Sequence, residues 1–306
     1  MIKLIATEDK KTAEQLSSEN IEKLSHAHFT KLLKHKSIHV NGKIIKKDIP
    51  LSKGDILELF IEDLFYDLIL DPDVIYEDEN MIIFNKPSGM SCEYPEDPDE
   101  RTVLSIAETM MRQSGEYNPD ILTVPYLCTP HARQIGGLTV VAKDENTYLA
   151  FSEAIRQRRI RRFYTALTVG IPPRHKGELH SYIVTNAKKE AVKVQDVPGN
   201  MAQPAVTRYS VIAADKEAAR VEIEPVTNIP LQIQAQFKYI GHPILGCQKF
   251  ADRSANNRFG IFGDSLWLKR LEFCVGENNE LSYLNGASFS ITKAALPYIS
   301  AALEEE

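Results

Sequence analysis

The residue types best suited to chemistry are five arginines within seven positions, RQRRIRR at residues 156–162. Each guanidinium carries a permanent charge and a fixed fork of donors that matches a phosphate group. The segment follows an apolar stripe of helical spacing at Tyr148, Phe151 and Ile155, and cations stabilise a helix C-terminus, which accounts for one or two of the five. We predict that four of the five contact RNA phosphates: Arg156, Arg158, Arg159 and Arg161.

A second candidate is the pair Cys128 and His131, whose spacing would suit a thiol nucleophile with an imidazole base. No third group orients the base, and Pro130 stands between the two, so this interpretation is not favoured. The histidines form no HxxxH or HExxH pattern, and neither GxGxxG nor GxxxxGK[ST] occurs. We therefore expect no metal and no cofactor.

The composition limits the class of protein. A length of 306 residues suggests about two domains. Acids outnumber bases, 42 against 36, which excludes a generally basic nucleic-acid coat but allows a local basic patch. No apolar run reaches the length of a membrane span, and the four cysteines lack CxxC spacing. We expect a cytoplasmic monomer with free thiols and no membrane partner.

One strongly basic stretch lies near the N-terminus, where residues 23–47 contain seven lysines, four histidines and no acid. Phe29, Leu32 and Leu33 have helical spacing, and Asn41-Gly42 between β-prone runs predicts a hairpin. A lysine-rich stretch is either a solvated face or an RNA-binding surface. On the second interpretation these lysines contact RNA: Lys31, Lys34, Lys36 and Lys43.

The rest of the chain alternates short β-branched runs with two helical stretches at residues 147–159 and 231–240. Because many strands are adjacent in sequence, we predict an α+β fold with a largely antiparallel twisted sheet. The acidic residues 63–78 read as a linker. We place one domain at residues 1–65 and a second at 66–306.

The N-terminal stretch FTKLLKHKSIHVNGKIIKKDIPLSKGDILEL resembles the small RNA-binding module named after ribosomal protein S-four. That resemblance implies a small α/β unit that binds RNA. The module's first helix normally opens with Arg-Leu-Asp, which TAEQLSSENIEKL lacks.

Several strings in residues 75–291 resemble the RluA-type RNA pseudouridine synthases. They are IIFNKPSGMSCEYP, GGLTVVAKDENTYLAFSEAIRQRRIRRFYTALTVG, QPAVTRYSVI, VEIEPVT, YIGHPILG and LSYLNGASFSI. The resemblance implies a pseudouridine-synthase fold with a central cleft for a flipped uridine and no cofactor.

The family's catalytic loop, His-Arg-Leu-Asp-Arg before two glycines, is changed in this chain. With Gly136 and Gly137 as the anchor, CTPHARQIGGL places Ala132 at the position of the catalytic Asp and keeps the second Arg as Arg133. In the alternative register, with His131 on the family's His, the Asp position falls on Gln134. A carboxylate is missing in both registers, so no nucleophile is expected.

The family's second motif, Thr-Gly-Arg-Thr-His-Gln-Ile-Arg, is changed as well. The segment TNIPLQIQ carries Ile229 at the first Arg, Leu231 at the His and Gln234 at the second Arg, while Gln232 persists. Tyr164 matches the tyrosine that lines the family's cleft. The resemblance leaves Arg133, Tyr164 and Gln232 as remnants of the site.

Two functions remain open at this level. The first is a catalytically inactive pseudouridine-synthase-like protein that retains binding to structured ribosomal or transfer RNA. The second is an active synthase that uses a carboxylate not identified from the sequence.

Overall fold

A computed structural model defines the architecture. It describes residues 2–21, 24, 26–34, 36–59, 72–95, 100–186, 191–251, 253–259, 261, 263–277, 279–292 and 303. The chain divides into two compact units, one of residues 1–71 with 97–101 and the other of residues 72–96 with 102–306. The residues around the predicted boundary at 65/66, and most of the predicted linker, lie outside the described part of the chain.

The first unit is a small four-stranded antiparallel sheet with two helices. Its elements are β1 (Ile2–Ile5), α1 (Ala13–Asn20), α2 (His26–Lys34), β2 (Ile38–Val40), β3 (Lys43–Ile44) and β4 (Ile56–Leu59), with the strand order β1-β4-β2-β3. The predicted hairpin is confirmed, because Asn41 and Gly42 both have positive φ, as a tight two-residue turn requires. Phe29 and Leu32 of α2 pack in the core of the unit.

The second unit contains a sheet of eleven strands. They are β5 (Asp73–Glu77), β6 (Met81–Lys86), β7 (Tyr126–Leu127), β8 (Gly136–Ala142), β9 (Ile160–Val169), β10 (Lys176–Thr185), β11 (Ala191–Gln195), β12 (Ala202–Ala214), β13 (Ala218–Pro225), β14 (Leu266–Phe273) and β15 (Ser288–Ser290). The order along the main path is β11-β10-β12-β13-β9-β14-β8-β6-β5, with β15 beside β14 and β7 beside β8.

Within this sheet the neighbouring strands run antiparallel except at β14 and β8, which pair in parallel through Trp267–Gly136 and Leu268–Gly137. The predicted fold class, α+β with a largely antiparallel sheet, is confirmed. The two glycines are required here because the backbones approach closely. A Cβ on Gly136 would lie 2.4 Å from the Trp267 ring, and one on Gly137 would lie 2.2 Å from the Leu268 carbonyl oxygen. Gly136-Gly137 therefore fixes where the preceding loop enters the sheet.

Four α-helices accompany this sheet among the described residues: α3 (Val103–Ser114), α4 (Glu145–Arg156), α5 (Gln232–Tyr239) and α6 (Arg253–Phe259). Short 3-10 helices lie at Pro119–Ile121 and Ser282–Leu284. Helix α4 begins two residues before the prediction, because Asp144 caps it by accepting from the backbone N–H of Thr147. It ends earlier than predicted, and Arg158 already has a φ of 59°. Helix α5 follows Leu231, whose φ of 62° is unusual for a branched residue, and Gly241 succeeds its C-cap.

The core of the second unit lies between the sheet and the helices. Phe151 of α4 and Phe237 of α5 are fully buried, and Phe273 of β14 makes an edge-to-face contact with Phe151 at 6.1 Å between ring centroids. None of the described helices is long and apolar enough to span a bilayer.

Candidate functional site

A central cleft of about 460 Å³ opens in the second unit. Most of its lining comes from three segments: the loop of residues 128–135 between β7 and β8, strand β9 at Arg162 and Tyr164, and residues 225–234 leading into α5; Glu93, Ile155 and Leu266 complete it. Both segments that carry the altered family motifs therefore meet at one cavity, although about 95 residues separate them in the chain.

Ala132 lies in the first of these segments and is exposed at the cleft. The loop that carries it contacts Lys86, a fully buried lysine at the end of β6. The Lys86 ammonium donates to the carbonyl oxygens of Pro87, Met90 and Arg133 at 3.1, 2.9 and 3.1 Å. The position of Ala132 is thus fixed by a buried cation that contacts backbone carbonyls.

Arg133 contributes to the same anchoring. Its guanidinium donates to the Gly89 carbonyl at 3.1 Å, and its own carbonyl accepts from the Gly89 backbone N–H at 2.8 Å. Ser88 adds a third link, from its hydroxyl to the Gln134 carbonyl at 2.5 Å. Arg133, predicted as a cleft remnant, is not among the described residues that line the cavity, and its side chain contacts the loop of residues 87–90.

Carboxylates are scarce at the cleft. Among the described residues that line it, the one acid is Glu93, an exposed residue. Behind the lining, the Asp264 carboxylate accepts a hydrogen bond of 3.2 Å from the side-chain amide of Gln234. Burial raises the pKa of Asp264 against the opposing hydrogen bonds from Gln234 and Cys247. This acid is therefore harder to ionise than an ordinary aspartate.

His131 and Tyr164 form the aromatic part of the wall. Their rings meet edge to face at 6.2 Å between centroids, and Tyr164 is only 7% exposed. Burial, with the cation of Lys86, lowers the pKa of His131 to about 3. His131 is therefore neutral at physiological pH, with Nε2 placed 3.2 Å from the Leu138 carbonyl oxygen.

Cys128 also lines the cleft, and burial raises its pKa to about 12. A thiolate is the reactive form of cysteine, so this protonated thiol is a poor nucleophile.

The segment that resembles the family's second motif contributes to a network of neutral side chains. Gln232 is buried, and its amide nitrogen donates to Thr207 Oγ1 at 2.8 Å and to the Val206 carbonyl at 3.0 Å. Its amide oxygen accepts from Thr227 Oγ1 at 2.8 Å. This remnant of the family motif therefore joins α5 to β12 and the loop after β13.

Gln236 extends the network one turn along α5. Its amide oxygen accepts from Thr207 Oγ1 at 2.6 Å, and its amide nitrogen donates to Ser181 Oγ at 2.9 Å. Ile229 and Leu231 line the cleft with apolar side chains. The cleft wall formed by this segment carries no ionisable group among the described residues.

A second cavity of about 580 Å³, the arginine groove, lies beside the cleft. Its charged lining residues are Arg156, Arg158, Arg161, Arg162, Arg208 and Glu224. Three of the cations are offset by acids. Arg156 pairs with Glu153, Arg161 pairs with Glu224 and Glu272 at 2.8 and 3.0 Å, and Arg208 pairs with Glu178 at 2.7 Å.

Arg158, Arg159 and Arg162 have fewer acidic partners than these three arginines. Arg158 and Arg159 are exposed and form no ion pair with any described residue, and Arg159 lines neither cavity. Arg162 donates to the neutral side-chain oxygen of Asn228 at 2.9 Å. Arg162 is not among the four arginines predicted to contact RNA. The available signal was its spacing of two from Tyr164 on a strand, which puts both side chains on one face.

The N-terminal lysines belong to the first unit. Lys36 and Lys43 are exposed, while Lys31 and Lys34 lie on α2 with side chains outside the described part. In neither unit does any group of three or more His, Cys, Asp or Glu side chains, among the residues that the structure describes, have a geometry suited to a metal ion.

Comparison with known proteins places the cleft in a family context. Residues 80–239 match the family described as RNA pseudouridylate synthase, a span that includes both altered motifs. The chain is 26% identical over 242 residues to a protein of Rickettsia bellii named ribosomal large subunit pseudouridine synthase C, covering 72% of this chain and 76% of the relative. It is 28% identical over 205 residues to the dual-specificity RNA pseudouridine synthase RluA of Vibrio cholerae, covering 66% of this chain and 76% of that one.

The fold agrees with these relatives. A solved structure of human RNA pseudouridylate synthase domain containing 4 superposes with a TM-score of 0.57 at 21% identity, covering 73% of this chain and 88% of that one. The sequence match extends over more than half of the chain, and the structural match supports the same architecture. This chain belongs to the RNA pseudouridylate synthase family and, like its named relatives, to the RluA type.

Proposed function

We propose that this protein binds RNA through a pseudouridine-synthase fold but does not isomerise uridine. The observation that carries the proposal is that Ala132, which matches the family's catalytic aspartate when Gly136-Gly137 is the anchor, lies at the cleft. Its methyl group cannot ionise, attack a sugar or accept a proton.

Uridine isomerisation requires more than a pocket. The bond from the ribose C1′ to the base N1 must break, the base must turn, a C1′–C5 bond must form, and C5 must lose its hydrogen. A positioned carboxylate serves these steps, and loss of a covalent catalyst costs about 10⁶-fold in rate, or ~8 kcal/mol. Neutral Gln232, Gln234 and Leu231 supply no substitute charge.

Retained RNA binding is supported by the charge of the arginine groove. Five arginines line it in a chain of net charge −6, and two of them, Arg158 and Arg162, are not paired with any described acid. Phosphates are bound by such a local concentration of guanidinium groups. Two exposed arginines, Arg158 and Arg159, form no ion pair with a described acid and are free to contact the RNA backbone.

The cytoplasm is the proposed location. Four cysteines in the chain are unpaired, including the exposed Cys274, which suits a reducing compartment.

The alternative is an active synthase, as the names of the relatives would suggest. The specific observation in its favour is Asp264, a carboxylate one side chain behind the cleft lining at Gln234. Its raised pKa and its hydrogen bond to Gln234 both oppose a role as an ionised nucleophile. Glu93 lines the cleft but is exposed.

The deciding experiment is release of tritium from ribosomal and transfer RNA labelled at uracil C5, with enzyme in excess and long incubation. An active relative serves as the positive control, and circular dichroism verifies folding. We expect no release above the buffer control. Release by the wild type that is abolished in Asp264→Asn or Glu93→Gln would establish the alternative and identify its carboxylate.

A further inference from the structure

Glu224 is the one acid among the described residues that line the arginine groove. Its two carboxylate oxygens face different arginines. Oε1 accepts a hydrogen bond of 2.8 Å from Arg161 Nε, and Oε2 lies 3.7 Å from Arg208 Nη1. The Glu224 side chain is 13% exposed, against 42% for Arg161 and 53% for Arg208. Solvent therefore screens this carboxylate less than the two cations that it joins.

The sheet fixes this arrangement. Arg208 on β12 and Glu224 on β13 are direct cross-strand partners. On its other side Arg208 is opposite Glu178 of β10, and Arg161 of β9 is opposite Glu272 of β14. Each arginine thus has an outer acid as well, Glu178 at 2.7 Å from Arg208 and Glu272 at 3.0 Å from Arg161. Neither outer acid is among the described residues that line the groove.

The inner and the outer acids therefore differ in what they do to a ligand. Carboxylate and phosphate groups are bound by the same guanidinium donors. Because Glu224 accepts from Arg161 inside the groove, a phosphate that binds there has to displace the carboxylate or share its donor. The negative charge of Glu224 then repels the phosphate at short range. The outer acids keep their hydrogen bonds and continue to orient both guanidinium groups.

We propose that Glu224 competes with phosphate inside the arginine groove and thereby determines which anions the groove accepts. This inference rests on the proposed function and deepens it. A small anion that binds only Arg161 and Arg208 meets this competition in full. An RNA chain also reaches Arg158 and Arg162, which line the same groove and form no ion pair with a described acid. Glu224 therefore selects for an extended polyanion over a small phosphate anion.

The experiment measures two probes on the wild type, Glu224→Gln and Glu222→Gln. A fluorescein-labelled RNA hairpin is followed by anisotropy, and inorganic tripolyphosphate is titrated by calorimetry. Glu222 is the matched control, because it lies on the same face of β13, pairs with Arg270 at 3.6 Å and is not among the described residues that line the groove. Both substitutions remove one negative charge, so an effect of net charge alone would be equal in the two variants. Circular dichroism verifies folding.

We expect Glu224→Gln to bind tripolyphosphate about tenfold and the RNA hairpin about threefold more tightly than the wild type, since one charge lies a few ångströms from the bound phosphate. The gain is smaller for RNA because two further arginines share its phosphates. Glu222→Gln should change either affinity by less than about twofold. Arg161→Ala should weaken RNA binding by a larger factor in Glu224→Gln than in the wild type, because removal of the competitor frees a donor of Arg161 for the ligand.

Glu224→Gln that binds both probes no more tightly than Glu222→Gln would overturn the inference. Weaker binding of both probes would overturn it as well, by showing that Glu224 positions Arg161 for the ligand. An equal gain for the two probes would overturn the selection between them. Failure of the proposed function gives a different result: no RNA binding by any variant, with a gain for tripolyphosphate in Glu224→Gln, would refute RNA binding and leave Glu224 as a competitor for phosphate.

Discussion

The Lys86 ammonium lies 3.1 Å from the carbonyl oxygen of Arg133 and ties the end of β6 to the loop that carries Ala132. Two further carbonyls, of Pro87 and Met90, accept from the same ammonium. Lys86 is itself fully buried. These three hydrogen bonds join the end of β6 to the loop of residues 87–90 and to the loop of residues 128–135.

Replacing Lys86 by Met should therefore destabilise the second unit. The substitution leaves three carbonyls without this donor in a buried place, and we expect a loss of about 2–4 kcal/mol in the free energy of unfolding. Urea unfolding followed by the fluorescence of Trp267, the single tryptophan of the chain, measures it. Lys216→Met, at an exposed turn, is the control and should unfold like the wild type. Equal midpoints for the two variants would show that the Lys86 contacts are dispensable.

The buried amide of Gln236 gives a second stability prediction. Gln236→Met removes the acceptor for Thr207 and the donor for Ser181 and should cost about 1–3 kcal/mol. Gln203→Met, an exposed substitution on β12, is the matched control. The same fluorescence measurement applies. A variant as stable as the control would mean that this network is replaceable by apolar packing.

Asp264 and Asp78 should contribute to stability with opposite dependences on pH. Burial raises the pKa of Asp264 above its ordinary 3.8, so its unfavourable contribution disappears as the pH falls through the folded-state pKa towards 3.8. The free energy of unfolding of the wild type, relative to that of Asp264→Asn, should therefore increase as the pH falls from 7 to 4.

Asp78 should behave in the reverse sense. Burial acts to raise its pKa, but hydrogen bonds from Tyr76, Tyr283, Met81 and Asn80 outweigh burial and lower it. Its stabilising contribution is present above 3.8 and is lost as the pH falls from there through the folded-state pKa. The free energy of unfolding of the wild type, relative to that of Asp78→Asn, should then decrease as the pH falls to 3. The same slope for both aspartates would contradict these assignments.

The salt dependence of RNA binding should distinguish the arginines of the groove. Arg158→Ala should reduce the slope of log affinity against log salt by about 0.9, the value for one phosphate contact on a duplex. Arg161→Ala should change it by less than half of that, because Glu224 and Glu272 already pair with Arg161. The double variant, with both Arg158→Ala and Arg161→Ala, should give a flatter slope than either single variant. Arg174→Ala, an exposed arginine that lines neither cavity, is the control. Unchanged slopes in the double variant would remove the RNA-contact assignment.

Local sequence determined the elements of this protein. The Asn41-Gly42 turn, the β-branched runs that form β6, β8 and β9, and the apolar stripe of α4 are encoded by residues close together in the chain. The spacing of apolar residues, every second position in a strand and every 3.6 positions in a helix, can be seen without knowledge of the fold. The antiparallel α+β class could therefore be predicted. The residue types of residues 128–135 and 225–234 also show which of these side chains carry no charge, because the residue type alone decides whether a side chain can ionise.

The tertiary structure decided which partners those residues have. Thr207 and Gln236 are 29 positions apart, Gln234 and Asp264 are 30 apart, and Arg161 and Glu224 are 63 apart. Nothing in the local pattern at Arg161 distinguishes it from Arg158, yet one is paired with two acids and the other forms no ion pair with any described residue. Only the packing of β9 against the loop after β13 places Arg162 between two cavities. Charge type is a property of the residue, whereas compensation of that charge depends on groups that folding brings within a few ångströms.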